Sequence, residues 1–565
     1  MNNNLEVEIN NLEKQLEILQ VEDKHNLKFD LQIKLGDLIQ KSGDIDRSLI
    51  YFKSAYDTAL ILGDERIQVD ALVKIAEGYF YKGKIEESVK YAEKVEELLK
   101  NLDYVKGKLD ICLYLLKVYH IKNEYYKARE IGNEALKLCT EEHIIYKGRI
   151  LNALANLYSE ITSVEEHLDL LRQSLACFEK ANELRGILGV LNNIGAIYSD
   201  KLQDYEKALE YFFKLKERSE NGSYFEFSAY ACINIGEAYL KSLRYEEALY
   251  WGKMALEKAK EAHLESIVFY AYVTLSCVNL NLYNYKEAYD YFKLASSELE
   301  TYPDQADRLP WYYKSVASLC LEFGDLNKAK HNIKKALDVL GNEESIIKWN
   351  TGIAYEFLKL KGAKDKTETL GALEGITYLL SKYKNSQVIL DIVYDASLQL
   401  LELGYSELAF KLVDEYKHIS AADNRNISLK RNYIEALRCS NEKKEQMLIS
   451  VLELPVKIQN NKLHLKICSS LGEYYLKVHN YEKALTYHLD ACNQVKNIVF
   501  TVPEQFRIQF ISSNNLLRYY NKLINIKKYY SKVKNYNYKK YDCINNEAEL
   551  VDFFQDLDKI IKQHE

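Results

Sequence analysis

Five stretches about 40 residues apart carry side chains suited to holding a partner rather than reacting with one. They are Arg149, Asn152 and Asn156; Asn192 and Asn193; Tyr230 and Asn234; Tyr270 and Thr274; and Trp311 and Lys314. An asparagine amide offers a donor and an acceptor, so it can pair with the N–H and C=O of an extended peptide. Tyrosine and tryptophan give large contact area at little entropic cost and keep a polar tip. Residues organised for catalysis are missing. The chain has no G-x-x-x-x-G-K-[ST], G-x-G-x-x-G, H-E-x-x-H or G-x-S-x-G pattern. Its 11 histidines are dispersed, and His120 and His488 fall within helical patterns that pack or solvate them. Acidic pairs such as "EEAL" sit where a helix opens and complement its dipole. The expectation is a non-enzymatic chain with no cofactor and no metal site.

The elements that position these side chains are repeated. Residues 192–212 read "NNIGAIYSDKLQDYEKALEYF", 234–251 read "NIGEAYLKSLRYEEALYW", and 469–488 read "SSLGEYYLKVHNYEKALTYH". One mostly small residue recurs at Gly36, Ala76, Leu116, Ala155, Gly195, Gly236, Ser276 and Ala317, in steps of 39 to 41 residues, and again at Gly472. The gap before Gly472 accommodates three degenerate units within residues 342–460, about twelve in all. Each unit reads as two amphipathic helices joined by a tight turn: Ile235, Gly236 and Tyr239 share one face, "KSLRY" turns, and Tyr245, Ala248 and Ala255 share the next. With only 4 prolines and 22 glycines in 565 residues, long helices are favoured over a sheet rich in turns.

This skeleton resembles the tetratricopeptide repeat over about residues 28–500, with a period near 40 in place of the commoner 34 and helices correspondingly longer. The resemblance implies an all-α, right-handed α-solenoid with a concave groove and a C-terminal capping helix. It divides the chain into an N-terminal cap (1–27), eight repeats (28–340), degenerate repeats (341–460), a final clear repeat (461–500), a basic cap or linker (501–541) and an acidic helix (542–565). In the family the first helix of each pair lines the groove, at positions six, three and two before the small residue and one after it. Those offsets select the binding residues above, and Asn193 and Asn234 fall where the family holds a peptide backbone. They also select Asp30, Asp70 and Asp110, four residues before Lys34, Lys74 and Tyr114. There an i,i+4 Asp–Lys pair stabilising each helix is expected, the alternative being a charged ladder for a partner. "VPEQFRIQF" is similar to the segment that closes such arrays in large bacterial signalling proteins.

A net charge of −7 gives no general reason to expect nucleic acid, and no run approaches the roughly 18 apolar residues of a membrane span. The 10 scattered cysteines read as buried thiols in a reducing compartment, hence the cytoplasm. The residues therefore point to a scaffold or sensor in bacterial signalling that binds a protein or peptide, without membrane or nucleic-acid partners. Two alternatives remain open. One is a nucleic-acid-associated regulator using residues 507–540, where nine Lys or Arg interleave with tyrosines. The other is a regulatory subunit or region of a larger signalling enzyme.

Overall fold

The computed structural model describes residues 2–19, 24–158, 163–301, 309–341, 345–420, 424–452, 461–523 and 525. All regular structure among them is helical. The first helices of successive pairs open at His25, Glu65, Val105, Ile144, Leu184, Phe225 and Glu265, so the pace of the sequence is the pace of the helices.

The chain divides into two units at Tyr198. The first holds α1 (Asn2–Leu19), then α2 (His25–Lys41) with α3 (Ile45–Leu62), and α4 (Glu65–Tyr81) with α5 (Ile85–Leu99). It continues through α6 (Val105–Ile121) with α7 (Tyr125–Leu138), α8 (Ile144–Tyr158) with α9 (Val164–Lys180), and α10 (Leu184–Ile197). The second begins with α11 (Tyr205–Asn221), α12 (Phe225–Lys241) with α13 (Tyr245–Glu261), and α14 (Glu265–Asn281) with α15 (Tyr285–Thr301). Next come α16 (Leu309–Phe323) with α17 (Leu326–Leu340), and α18 (Ile346–Lys361) with α19 (Lys366–Leu380). The unit then runs through α20 (Ser386–Glu402) with α21 (Ser406–Glu415), α22 (Arg425–Arg438) with α23 (Asn441–Leu452), and α24 (Asn461–Lys477) with α25 (Tyr481–Thr501), ending at α26 (Arg507–Ser513). Helices α12 to α15 are 17 residues each, whereas α21 and α23 shrink to 10 and 12, which is why their repeats read as degenerate.

The small residue of each pair marks where two helices come closest. A Cβ on Gly236 would lie 3.2 Å from the backbone nitrogen of Gly252 on α13. Backbone cannot yield there as a side chain would, so Gly236→Val is expected to cost about 2–4 kcal/mol, read as earlier unfolding of α12 and α13 in hydrogen exchange. Serine fills the same position in two other repeats by capturing a carbonyl. The Ser276 hydroxyl donates to the Ala288 carbonyl at 2.8 Å, and Ser397, in a degenerate repeat, donates to Ala409 at 3.3 Å. The nearer acceptor of the Ser397 hydroxyl is the Val393 carbonyl of its own helix, at 2.8 Å, so the contact to Ala409 is the weaker of the two.

The second unit packs upon itself. The Gln203 side-chain carbonyl accepts from the backbone N–H of Lys384 (2.8 Å) and Asn385 (3.1 Å), and the Asn385 amide donates back to the Gln203 carbonyl (3.2 Å). Thr501 donates to the Tyr283 carbonyl at 3.1 Å, and Asn514 to the Glu322 carbonyl at 3.4 Å. Gln203, Leu243 and Tyr283 occupy the same turn of successive repeats, all with left-handed backbone (φ 56°, 63° and 62°). Bulky residues are strained there. Buried contacts offset that strain, because Leu243 packs on the cluster containing Ile353, Val393 and Leu400.

Candidate functional site

On the first unit the recurring aspartates bond mostly to a neighbouring repeat, and one i,i+4 pair, Lys106 with Asp110, stays within a helix. Lys106 bridges Asp70 (2.8 Å) and Asp110 (3.0 Å), and Tyr104 and Tyr146 donate hydroxyls to Asp70 (2.9 Å) and Asp110 (2.8 Å). Lys74, expected to pair with Asp70, reaches back to Asp37 at 2.9 Å. The stacking step brings the next repeat's first turn over each aspartate, and that neighbour outcompetes the residue one turn along. Lys34 likewise pairs with Glu8 at 3.2 Å, and Asp30 is exposed. Burial, then Asp70, pushes the Tyr104 hydroxyl up to about 12.

Further along the same unit the charges give way to amides. Arg149, Asn152 and Asn156 fall three and four residues apart on α8 and so share a face. Arg149 and Asn156 are exposed; Asn152, Asn192 and Asn193 are half-buried. The Asn193 amide donates to the Asn152 side-chain carbonyl at 3.1 Å, tying α10 to α8. That bond leaves the Asn152 N–H2 and the Asn193 side-chain carbonyl without a hydrogen bond among the described residues. The bonded pair therefore keeps a donor group and an acceptor group, the two functions that a peptide group can pair with.

The other six expected residues lie on the second unit. Tyr230 is exposed and Asn234 half-buried on α12. Tyr270 on α14 and Trp311 on α16 pack part of their rings against the cluster around Cys232, Ile233 and Phe269. Thr274 is buried. Lys314 feels Cys277, Lys241 and Glu237, and burial leads in holding its ammonium below the ordinary lysine range. Lys241 is bound to Asp200 at 2.7 Å.

Sequence reading passed over a half-open hollow in the second unit. A cavity of about 660 Å3 is walled by the inner helices α14, α16, α18, α20 and α24 and by the C-terminal cap. A smaller one of about 260 Å3 adjoins it at Glu402, Lys466, Arg518 and Tyr519. Lys466, Ser469, Ser470 and Glu473 on the wall of the smaller cavity sit six, three and two residues before Gly472 and one after it. Applying the same offsets to the last clear repeat finds them. Ion pairs run beside the walls: buried Lys430 with Asp391 (2.7 Å) and Asp395 (2.6 Å), and half-buried Lys466 with Glu402 (2.8 Å) and Lys462 with Glu322.

The cap accounts for the described part of the basic stretch. Phe510, Ile511, Tyr519, Tyr520 and Leu523 are buried. Arg507 donates to the Val502 carbonyl (3.0 Å), Arg518 donates to the Tyr519 hydroxyl (2.9 Å), and Lys522 pairs with Glu473. Lys527, Lys528, Lys532, Lys534, Lys539 and Lys540 lie outside the described residues. His488 is fully buried against Gly472, and burial lowers its imidazole to about 4, so it packs as a neutral ring; His120 is exposed. The nine described cysteines are free thiols, and burial pushes Cys112 and Cys468 up to about 12. Among the described residues no group of three His, Cys, Asp or Glu could hold a metal, and no helix is long and apolar enough to cross a membrane.

Helix pairs at a 40-residue pace, with close approach at the small position, define an α-solenoid of tetratricopeptide type. No protein-family model and no curated protein matches the sequence. Among solved structures it is similar to the Cut9–Hcn1 assembly of the APC/C (13% identity, 92% of this chain and 96% of that one, TM-score 0.43). It is also similar to a Rap protein complexed with competence and sporulation factor (14%, 71% and 99%, 0.42) and to NprR in complex with its cognate peptide NprX (15%, 62% and 99%, 0.42).

Proposed function

We propose that this chain is a non-catalytic binding protein that takes an extended peptide or protein segment along the inner face of its first helices. It would serve as a scaffold or sensor in bacterial cytoplasmic signalling. The observation that carries this reading is the Asn152–Asn193 pair, which presents one donor and one acceptor between exposed Arg149 and Asn156. Main-chain pairing of that kind gives affinity, and neighbouring side chains give selectivity. Asn192 would supply a further contact on this unit, and Tyr230, Asn234, Tyr270, Trp311 and Lys314 would supply contacts of the second unit by itself. Free, neutral thiols suit a reducing compartment.

The test is selection from a displayed library of random twelve-residue peptides with the intact chain and with an Asn152→Ala, Asn193→Ala, Asn234→Ala variant. Enrichment by the intact chain, with affinity at least tenfold lower for the variant, is expected. Equal enrichment by both would remove the amides from the account.

A further inference from the structure

We propose that the 660 Å3 cavity of the second unit binds a small amphipathic carboxylate, its head group between Lys361 and Arg518 and its apolar body along Ile353, Phe357 and Leu463. This site is separate from the amide surface of the first unit and stands independently of the proposed function. The volume lies within the range of about 300–1,000 Å3 typical of small-molecule sites. Its wall combines an apolar surface with a few convergent charges, the composition such sites require.

The charges specify the ligand. Four cations (Lys361, Lys462, Lys466 and Arg518) and three carboxylates (Glu322, Asp395 and Glu402) line the cavity. One further negative charge brings the lining to neutrality, which suits a monoanion; a phosphate dianion would face three carboxylates. Two of the cations are already used, Lys462 by Glu322 and Lys466 by Glu402. Lys361 makes no ion pair among the described residues and donates only to the Leu321 carbonyl, at 3.3 Å. Arg518 also lacks a carboxylate within ion-pair distance and donates to the Tyr519 hydroxyl. Both line the cavity, and both interact at longer range with Glu402. Burial, the leading cause, holds the Lys361 ammonium below the ordinary lysine range. Glu322 leads its longer-range partners but is bound to Lys462, so an entering carboxylate would give this ammonium a direct ion pair. A bidentate guanidinium contact beside it would fix the head group.

Such a carboxylate could belong to a free organic acid or to the C-terminus of an apolar peptide. Isothermal titration of the full chain with decanoate, and with decyltrimethylammonium as a charge-reversed control, tests the head group. Decanoate is expected to bind one-to-one, the cation not at all, and Lys361→Met and Arg518→Met to weaken decanoate at least tenfold. Lys361→Arg, which keeps the charge, should bind within threefold of the native chain, so that a loss in Lys361→Met is not misfolding. A pentapeptide of leucine and alanine then separates the sources. If it competes with decanoate as the free acid but not as the C-terminal amide, the carboxylate can come from a peptide end. If neither form competes, a free acid is the ligand. Equal binding of decanoate and decyltrimethylammonium, or unchanged decanoate binding by Lys361→Met, would overturn the proposal.

Discussion

Lys430→Met is expected to destabilise the second unit by about 2–3 kcal/mol, the cost of stranding charge that is buried at Asp391 and partly solvated at Asp395. The Lys430 side chain is 8% exposed, with its ammonium 2.7 Å from Asp391 and 2.6 Å from Asp395. Burial opposes its charge, but the two aspartates outweigh it, and its proton is held well above the ordinary lysine range. Burial also raises Asp395, which Lys430 draws back down. Without the ammonium, Asp391 (16% exposed) and Asp395 (44% exposed) are left as unpaired like charges. Amide exchange in α20 and α22 is the suitable readout, because a repeat array need not unfold in one step. Adding Asp391→Asn and Asp395→Asn to Lys430→Met should restore most of the loss, since an uncharged trio leaves no unpaired ion. A loss under 1 kcal/mol for Lys430→Met alone would mean that the carboxylates are solvated.

Acid should open the second unit at Glu322. Burial pushes this carboxyl up, but Lys462 and Lys361 overcome it and lower it from 4.5 to about 2. A carboxylate lowered on folding contributes stability that is full above its unfolded value and lost as pH falls through the folded one. The loss therefore falls between pH 4.5 and about 2. Its size is on the order of 2 kcal/mol, after discounting for a side chain 33% exposed. Glu322 also accepts from the Tyr285 hydroxyl at 3.0 Å, and its carbonyl accepts from Asn514, so α16 is joined here to α15, α24 and the cap. Glu322→Gln should lower stability by a similar amount at pH 7 and flatten the acid limb, with Phe510 and Tyr520 exposed earlier on titration. Parallel acid curves for the two proteins would show that Glu322 does not carry this dependence.

The helix pairs were legible because burial repeats: the glycine, tyrosine and alanine of each unit serve one packing geometry, and a 40-residue period cannot hide. The degenerate repeats were legible only by counting. Ser397 stands in place of the glycine, and α21 loses about two turns. The self-packing of the second unit left a trace that propensity reading discards. The turn position held by Gly43, Gly83 and Asn123 in the first unit becomes Gln203, Leu243 and Tyr283 in the second. Gln203 is buried there and Leu243 half-buried, whereas His263 and His479 take the same left-handed backbone in the open. The aspartate ladder was visible, but its partners were not, because helix spacing describes neighbours along one helix and says nothing of the repeat stacked above. Asn152 and Asn193 stood out by chemistry, whereas Lys361 and Arg518 are ordinary residues until the fold brings them to one cavity.

The central claim is that the first helices of the first unit hold an extended segment through Asn152 and Asn193. Amide hydrogen exchange of the intact chain, with and without a saturating selected peptide, tests it most directly. The account predicts slowed exchange concentrated in α8 and α10, absent in the Asn152→Ala, Asn193→Ala, Asn234→Ala variant. Protection confined to other helices, or identical protection in the variant, would contradict it.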